Sequence, residues 1–148
     1  MKETQFDLRP ATNADRDFAF QVWKAAMQQY IEATWGWDEA SQRQRQQEEF
    51  DVAIYQIVKI AGQSAGTLII KRHADHLYLS VLYLLPEHQG QGIGSQVLAS
   101  LLAEARAQGK TVRLRVLRVN PQARRLYERM GFVVTDETEE CFVSMSGM

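Results

Sequence analysis

At residue 53 the hydrophobic pattern changes period, and this change limits what the chain can fold into. Three β-rich runs succeed one another, "AIYQIVKI", "AGTLIIKR" and "HLYLSVLYLL", separated by the turn "AGQS" and a second turn near "HAD". Runs of this length joined by tight turns pair as a hairpin that a third strand extends into a meander. Before residue 53 the period is helical. "FDLRPAT" reads as a first strand and turn, Thr12 or Asn13 caps a long helix, and Phe18, Val22, Ala25, Ala26, Tyr30 and Ala33 recur along it at helical spacing. Gly36 breaks that helix, Asp38 caps a second, very polar one, and Phe50 ends it.

After the meander the helical period returns. Ile93, Val97, Leu98, Leu101, Leu102 and Ala105 share one side of a helix over 92–108, with Gly109 as its stop. A strand "TVRLRV", a shorter helix over 121–130 closed by Gly131, and strands around "FVVTD" and "CFVSM" complete the chain. The expected order is β α α β β β α β α β β. No repeat or linker interrupts it, so residues 1–148 read as one α+β domain with a mixed sheet.

The 148 residues, 45% of them apolar, suffice for one core. With 17 basic and 18 acidic residues the net charge is −1, which offers no general pull on nucleic acid or on an anionic membrane. No apolar run approaches the roughly 20 residues of a membrane span. "MKETQFDLRP" has no apolar signal-peptide core, and the resulting expectation is a cytoplasmic protein. The single Cys141 excludes an internal disulfide and a multi-cysteine zinc site.

The chemistry concentrates in "LLPEHQGQGIGSQVL", where closely spaced glycines lie between a strand and a helix. Backbone N–H groups at such a junction, with the partial positive charge of a helix N-terminus, suit a pyrophosphate. A Walker loop needs Lys and then Ser or Thr after its last glycine, but Ser95 and Gln96 come after Gly94. A dinucleotide fingerprint counted from Gly90 needs a sixth-place glycine where Ser95 stands. Neither pattern fits.

The pattern that does fit, Gln89-x-x-Gly92-x-Gly94, resembles the acetyl-CoA signature of the GCN5-related N-acetyltransferase (GNAT) superfamily. "NPQARRLYERMGF" from Asn120 to Phe132 resembles the second signature of that family, and the element order from residue 4 onward is also the family's. The resemblance implies a mixed, mostly antiparallel sheet with flanking helices, acetyl-CoA as co-substrate without a metal, and transfer of acetyl to an amine by direct attack in a ternary complex. It implies that main-chain groups of Leu82, Tyr83 and Leu84 take the pantetheine arm and acetyl carbonyl, at a bulge where this strand splays from the strand near 112–116. Gly90, Gln91, Gly92, Ile93, Gly94 and Ser95 then wrap the pyrophosphate, Gln89 braces the loop, Asn120 bonds the pantetheine arm, and Tyr127 protonates the departing sulfur. A phenol with a reference pKa near 10 stays protonated at neutral pH, and the thiol it serves has a pKa of about 8.5, so the last role is chemically sound. Packing is the alternative role for Tyr127, which shares its stripe with Ala123 and Met130.

The acceptor side departs from the family. Tyr78 and Arg115 stand where histone-type and ribosomal-protein-type members carry a glutamate base. Replacement bases are His76, which shares a strand face with Tyr78 and Ser80, or ordered waters held by those three, or Glu32 and Glu39 on the early helices. Trp35 and Trp37 wall an acceptor pocket or anchor the loop, while Arg113 and Arg115 read an acceptor carboxylate or belong to the surface. Arg124 and Arg125 are candidates for CoA phosphates. His73 and His76 lack a third metal ligand, and no base can be placed beside Cys141. The second function class is a CoA-binding regulatory or partner-binding domain without turnover. The acceptor is a small-molecule or peptide amine, and the fold allows a homodimer, since its final strands often pair between subunits.

Overall fold

The computed structural model describes residues 5–148; residues 1–4 of the stretch read for a signal peptide lie outside them. The strands are β1 (Asp7–Pro10), β2 (Tyr55–Ile60), β3 (Gln63–Arg72), β4 (His76–Leu84), β5 (Thr111–Leu117), β6 (Val133–Asp136) and β7 (Phe142–Gly147). The helices are α1 (Arg16–Trp35), α2 (Glu39–Glu49), α3 (Ile93–Ala107) and α4 (Pro121–Arg129), so the element order is the one read from the hydrophobic periods. One mixed sheet has strand order β1-β2-β3-β4-β5-β7-β6, with β4 and β5 parallel and the β1–β2, β2–β3, β5–β7 and β6–β7 pairs antiparallel.

The described residues form two compact units, one running to Ile69 and including Val81–Ile93, the other comprising Ile70–Ser80 and Gly94–Met148. In the first, Ala11, Ala19, Phe50 and Ile57 form a buried cluster against which Phe18 and Tyr55 pack. The buried face of α1 is Ala19, Phe20, Val22 and Ile31, whereas Ala25 and Ala33 of the expected stripe are exposed. Burial free energy scales with apolar area, so Phe20 and Ile31 orient the helix and the small alanines go with them. Asp38 caps α2 by accepting from Ser41 N–H at 3.2 Å, and α2 buries no residue, as its polarity predicts. Arg43 covers the Phe20 ring from 4.3 Å, which ties this polar helix to the core.

Two turn boundaries differ from those expected of the sequence. Asp51 accepts from Ala53 N–H through its side chain, so residues 53 and 54 form a turn and β2 starts at Tyr55. The next turn needs only two residues, because Ile60 already pairs with Gln63; Ala61 and Gly62 take φ of 52° and 79°. Two left-handed residues match the hairpin geometry favoured by the strand twist, but alanine disfavours that conformation. Ala61→Asn is expected to stabilise the fold by about 0.5 to 1 kcal/mol, seen as a higher urea midpoint. An unchanged or lower midpoint would show that the alanine carries no strain.

In the second unit, Leu77 and Leu79 of β4, Val112, Leu114 and Val116 of β5, and Val143 and Met145 of β7 are buried, as are Val97, Leu98, Leu101, Leu102 and Ala105 of α3. The alternate positions His76, Tyr78, Ser80, Ser144 and Ser146 are half-buried, and Arg113 and Arg115 are exposed. The parallel ladder pairs only His76–Leu79 with Thr111–Leu114 and stops there, although β4 continues to Leu84. From Arg115 onward β5 keeps β7 as partner.

Candidate functional site

A short 3-10 turn at Pro86–His88 leads from β4 into the exposed loop Gln89–Gly92 and then into the 15-residue helix α3. Gly90 and Gly92 adopt φ of 77° and 79°, a backbone that other residues rarely take. Glycines of this kind let backbone N–H groups approach an anion, and a helix N-terminus adds positive potential, so the loop is a candidate for holding a diphosphate. Gln89 donates from Nε2 to the Leu84 carbonyl at 2.9 Å, which ties the loop to the end of β4. Gly94 has an ordinary helical backbone; a methyl group there would meet Leu126 Cδ2 at 3.7 Å, an uncrowded contact. Ile93, next to it, is 1% exposed and anchors the helix start, and Ser95 is half-buried in the first turn.

Asn120 and Tyr127 belong to α4. Asn120 is its N-cap, with Oδ1 accepting from Ala123 N–H at 3.1 Å and Pro121 as the first helical residue. The oxygen is thus committed to the helix, which leaves the amide Nδ2 hydrogens for a ligand. Asn120→Ala is expected to lower stability by about 1 kcal/mol through loss of the cap, measured by denaturant unfolding. A change near zero would mean that Pro121 alone suffices to start the helix.

Tyr127 is half-buried and meets Phe132 edge to face, with ring centroids 5.7 Å apart at 61°. Burial pushes its phenol up to about 12, because the phenolate loses more solvation than the phenol. Among the described residues no hydrogen bond to another side chain engages the hydroxyl, so its proton is available.

The acceptor-side candidates fall into separate groups. His76 Nδ1 lies 2.7 Å from Asp75 Oδ1, its ring stacks on His73 at 4.5 Å, and Arg113 approaches Asp75 at 3.7 Å. The hydrogen bond from His76 holds the Asp75 carboxyl below its ordinary range. Asp75 carried no signal in the sequence beyond adjacency to a histidine. Arg115 donates to Glu139 at 3.0 Å and covers the Phe142 ring at 4.1 Å, so its guanidinium is already engaged. Arg124 is likewise paired with Glu128 and Glu137.

On the early helices, Glu39 accepts from Lys24 and Trp37, each at 3.0 Å, and these bonds hold its carboxyl below the usual range. A carboxylate held low is a weaker base. Glu32 is exposed, accepts from Gln28 at 3.2 Å, and shares a shallow depression with Lys24, Ala25, Gln28 and Gln29. Trp37 anchors the junction by stacking on Trp23 with centroids 5.4 Å apart, while Trp35 is 60% exposed. Cys141 is a half-buried free thiol. Among the described residues no three His, Cys, Asp or Glu side chains are grouped to hold a metal ion, and no helix is long and apolar enough to cross a membrane.

Comparison with solved structures places this arrangement in a known fold. PaiA N-acetyltransferase from Thermoplasma acidophilum, solved in complex with coenzyme A, superposes with a TM-score of 0.77 over 97% of this chain and 98% of that one, at 19% identity. Arabidopsis thaliana Naa50, bound to the bisubstrate analogue CoA-Ac-MVNAL, gives 0.69 over 97% and 98% at 15% identity. At these identities the likeness is one of fold. Among curated proteins, mouse (Mus musculus) thialysine N-epsilon-acetyltransferase is 28% identical over 101 residues, covering 61% of this chain and 59% of its own length. The L-amino acid N-acyltransferase MnaT of Escherichia coli (strain K12) is 42% identical over 55 residues, 36% of this chain and 32% of its own. The chain thus spans between a third and three fifths of these relatives. Residues 17–132, which hold the glycine loop, the Asn120 cap and Tyr127, match the family described as Acetyltransferase (GNAT) family, and the chain belongs to that family.

Proposed function

We propose that the chain is a single acetyl-CoA-dependent N-acetyltransferase domain whose acceptor is the amine of a small molecule or peptide, with amino acids the first class to test. The observation that carries this reading is the loop with two left-handed glycines opening a long helix, in a chain of this family. Amino acids come first because the mouse and E. coli relatives are named for thialysine and L-amino acid acceptors.

When bound, acetyl-CoA supplies an acetyl group activated as a thioester. In this reading the backbone N–H groups of Gly90 to Ser95 hold the diphosphate, and Gln89 keeps their loop against Leu84. Main-chain groups of Leu82, Tyr83 and Leu84 orient the pantetheine arm and the reacting carbonyl. Asn120 donates from Nδ2 while its oxygen caps α4. Tyr127 keeps a proton on its hydroxyl at neutral pH and donates it toward the sulfur.

Strand geometry discriminates among the bases. At about 3.3 Å per residue, His76 stands about 20 Å from Leu82 along β4, far beyond the reach of direct proton removal. Ser80 and Tyr78 lie two and four residues from Leu82 on the same face as His76. We therefore assign the proton to waters ordered by Ser80 and Tyr78, with the His76–Asp75 pair as an outer sink. The engagement of Arg115 and Glu39 in ion pairs favours the second reading, a CoA-binding domain without turnover.

The test is CoA thiol release, monitored with a thiol-reactive dye across amino acids, polyamines and peptides, with an acceptor-free blank that also corrects for Cys141. Release that depends on an acceptor supports the enzyme. Binding of acetyl-CoA without release across the panel favours the second reading, and absence of binding overturns both.

A further inference from the structure

We infer that a bulge in β3, at Ala65 and Gly66, is a positioning element for coenzyme A, acting through the end of β4 and the root of the glycine loop. The inference rests on the proposed binding of acetyl-CoA. In the β2–β3 ladder Val58 pairs with Gly66 but Lys59 pairs with Ser64, so Ala65 is an extra residue in β3. A bulge of this kind bends its strand and re-aims the groups beside it. Here the Ala65 carbonyl accepts the Leu85 N–H at 2.8 Å, just past the last residue of β4.

Gly66 makes the second half of the device. A methyl group in place of its hydrogen would overlap the Tyr83 carbonyl oxygen and lie 2.9 Å from Leu84 Cδ2 and 3.1 Å from Leu84 Cα. The main chain of β4 thus occupies the space of a side chain on β3. Consequently Tyr83 and Leu84 sit lower on β3 than any other residue type would permit. The Leu84 carbonyl receives Gln89 Nε2 at 2.9 Å, and the left-handed Gly90 comes directly after. One chain of contacts, from Ala65–Gly66 through Tyr83–Leu85 to Gln89, therefore sets the height of the groups assigned to the pantetheine arm and the direction in which the loop leaves the strand. Main-chain groups cannot be re-aimed by a rotamer change, so a shift of about 1 Å here is carried directly to the ligand.

The test compares Gly66→Ala with Gly62→Ala. Gly62, unlike Gly66, has a left-handed backbone, with φ of 79°, and its side-chain position faces no atom within 4 Å, so its replacement strains the hairpin without touching β4. Thermal unfolding and calorimetric titration with CoA are run on the full chain and both variants. We expect Gly66→Ala to weaken CoA binding at least tenfold, and Gly62→Ala to stay within twofold of wild type despite a loss of thermal stability. Binding by Gly66→Ala within twofold of wild type overturns the inference. Wild type that does not bind CoA instead overturns the functional reading, and the inference falls with it. Should Gly66→Ala not fold, amide hydrogen exchange at Leu85 of the wild type decides: protection at the level of strand amides supports the anchor to Ala65, and exchange as fast as in the exposed loop overturns it.

Discussion

Tyr127→Phe is expected to lower turnover at least tenfold while leaving acetyl-CoA affinity nearly unchanged. The substitution removes one oxygen and retains the ring, so the edge-to-face contact with Phe132 persists and α4 keeps its packing. What is lost is the hydroxyl donor, and a positioned acid contributes roughly 10²- to 10⁴-fold in comparable reactions. The pH dependence comes from the burial that pushes the phenol up to about 12. The donor is the protonated form, present below the pKa, so raising that pKa from 10 extends the competent range upward. Wild-type kcat should therefore show no alkaline fall attributable to Tyr127 below about pH 11. The same shift is linked to folding: this contribution to stability is complete below pH 10 and is lost as pH rises through 12. Steady-state kinetics on both proteins checks the claim, and equal turnover would remove Tyr127 from the mechanism.

Asp15→Asn should destabilise the fold by roughly 2 kcal/mol at pH 7. Asp15 is 8% exposed and accepts both guanidinium nitrogens of Arg9 at 2.8 Å, together with the Thr12 N–H at 2.8 Å. This bidentate pair joins β1 to the turn that opens α1, and the Arg9 hydrogen bonds hold the Asp15 carboxyl at about 2. The Arg9 side chain remains 36% exposed, so water screens part of the attraction and the figure stays below that of a fully buried pair. Because the folded pKa lies below the unfolded value of 3.8, the contribution is present above about pH 4 and fades as pH falls through 2. Unfolding curves of wild type and variant should accordingly differ at pH 7 and converge toward pH 2 and below, as Asp15 takes up its proton in the folded protein. A gap that persists unchanged to pH 2 would assign the effect to hydrogen-bond geometry instead of charge.

The elements and the glycine loop were readable from residues a few positions apart. Hydrophobic period, the Asp38 cap and the spacing of Gly90 and Gly92 are local signals, and local backbone energetics acts on them before any tertiary contact forms. The orientation of α1 was less readable. Ala25 and Ala33 fit a helical stripe, but alanine contributes too little area to decide which side faces inward, and Phe20 and Ile31 decided it.

The candidate site divides in the same way. Two family signatures name Tyr127, Asn120 and the loop, whereas the state of each acceptor-side residue depends on partners that no spacing rule supplies. Arg115 is held by Glu139, 24 residues away, and Glu39 by Lys24, 15 residues away. His76 shares a strand face with Ser80 and Tyr78, but its ring is engaged by Asp75 and His73. Gly66 stands near the start of the second strand-forming run with nothing in its neighbours to mark it, because the atoms that require glycine there belong to Tyr83 and Leu84. The sequence by itself thus determined the succession of strands and helices and the close spacing of glycines in one loop, since both arise within single turns of chain. Only the tertiary structure decided which charges are already paired and where β4 must lie, since those depend on steric and electrostatic contacts between residues distant in sequence.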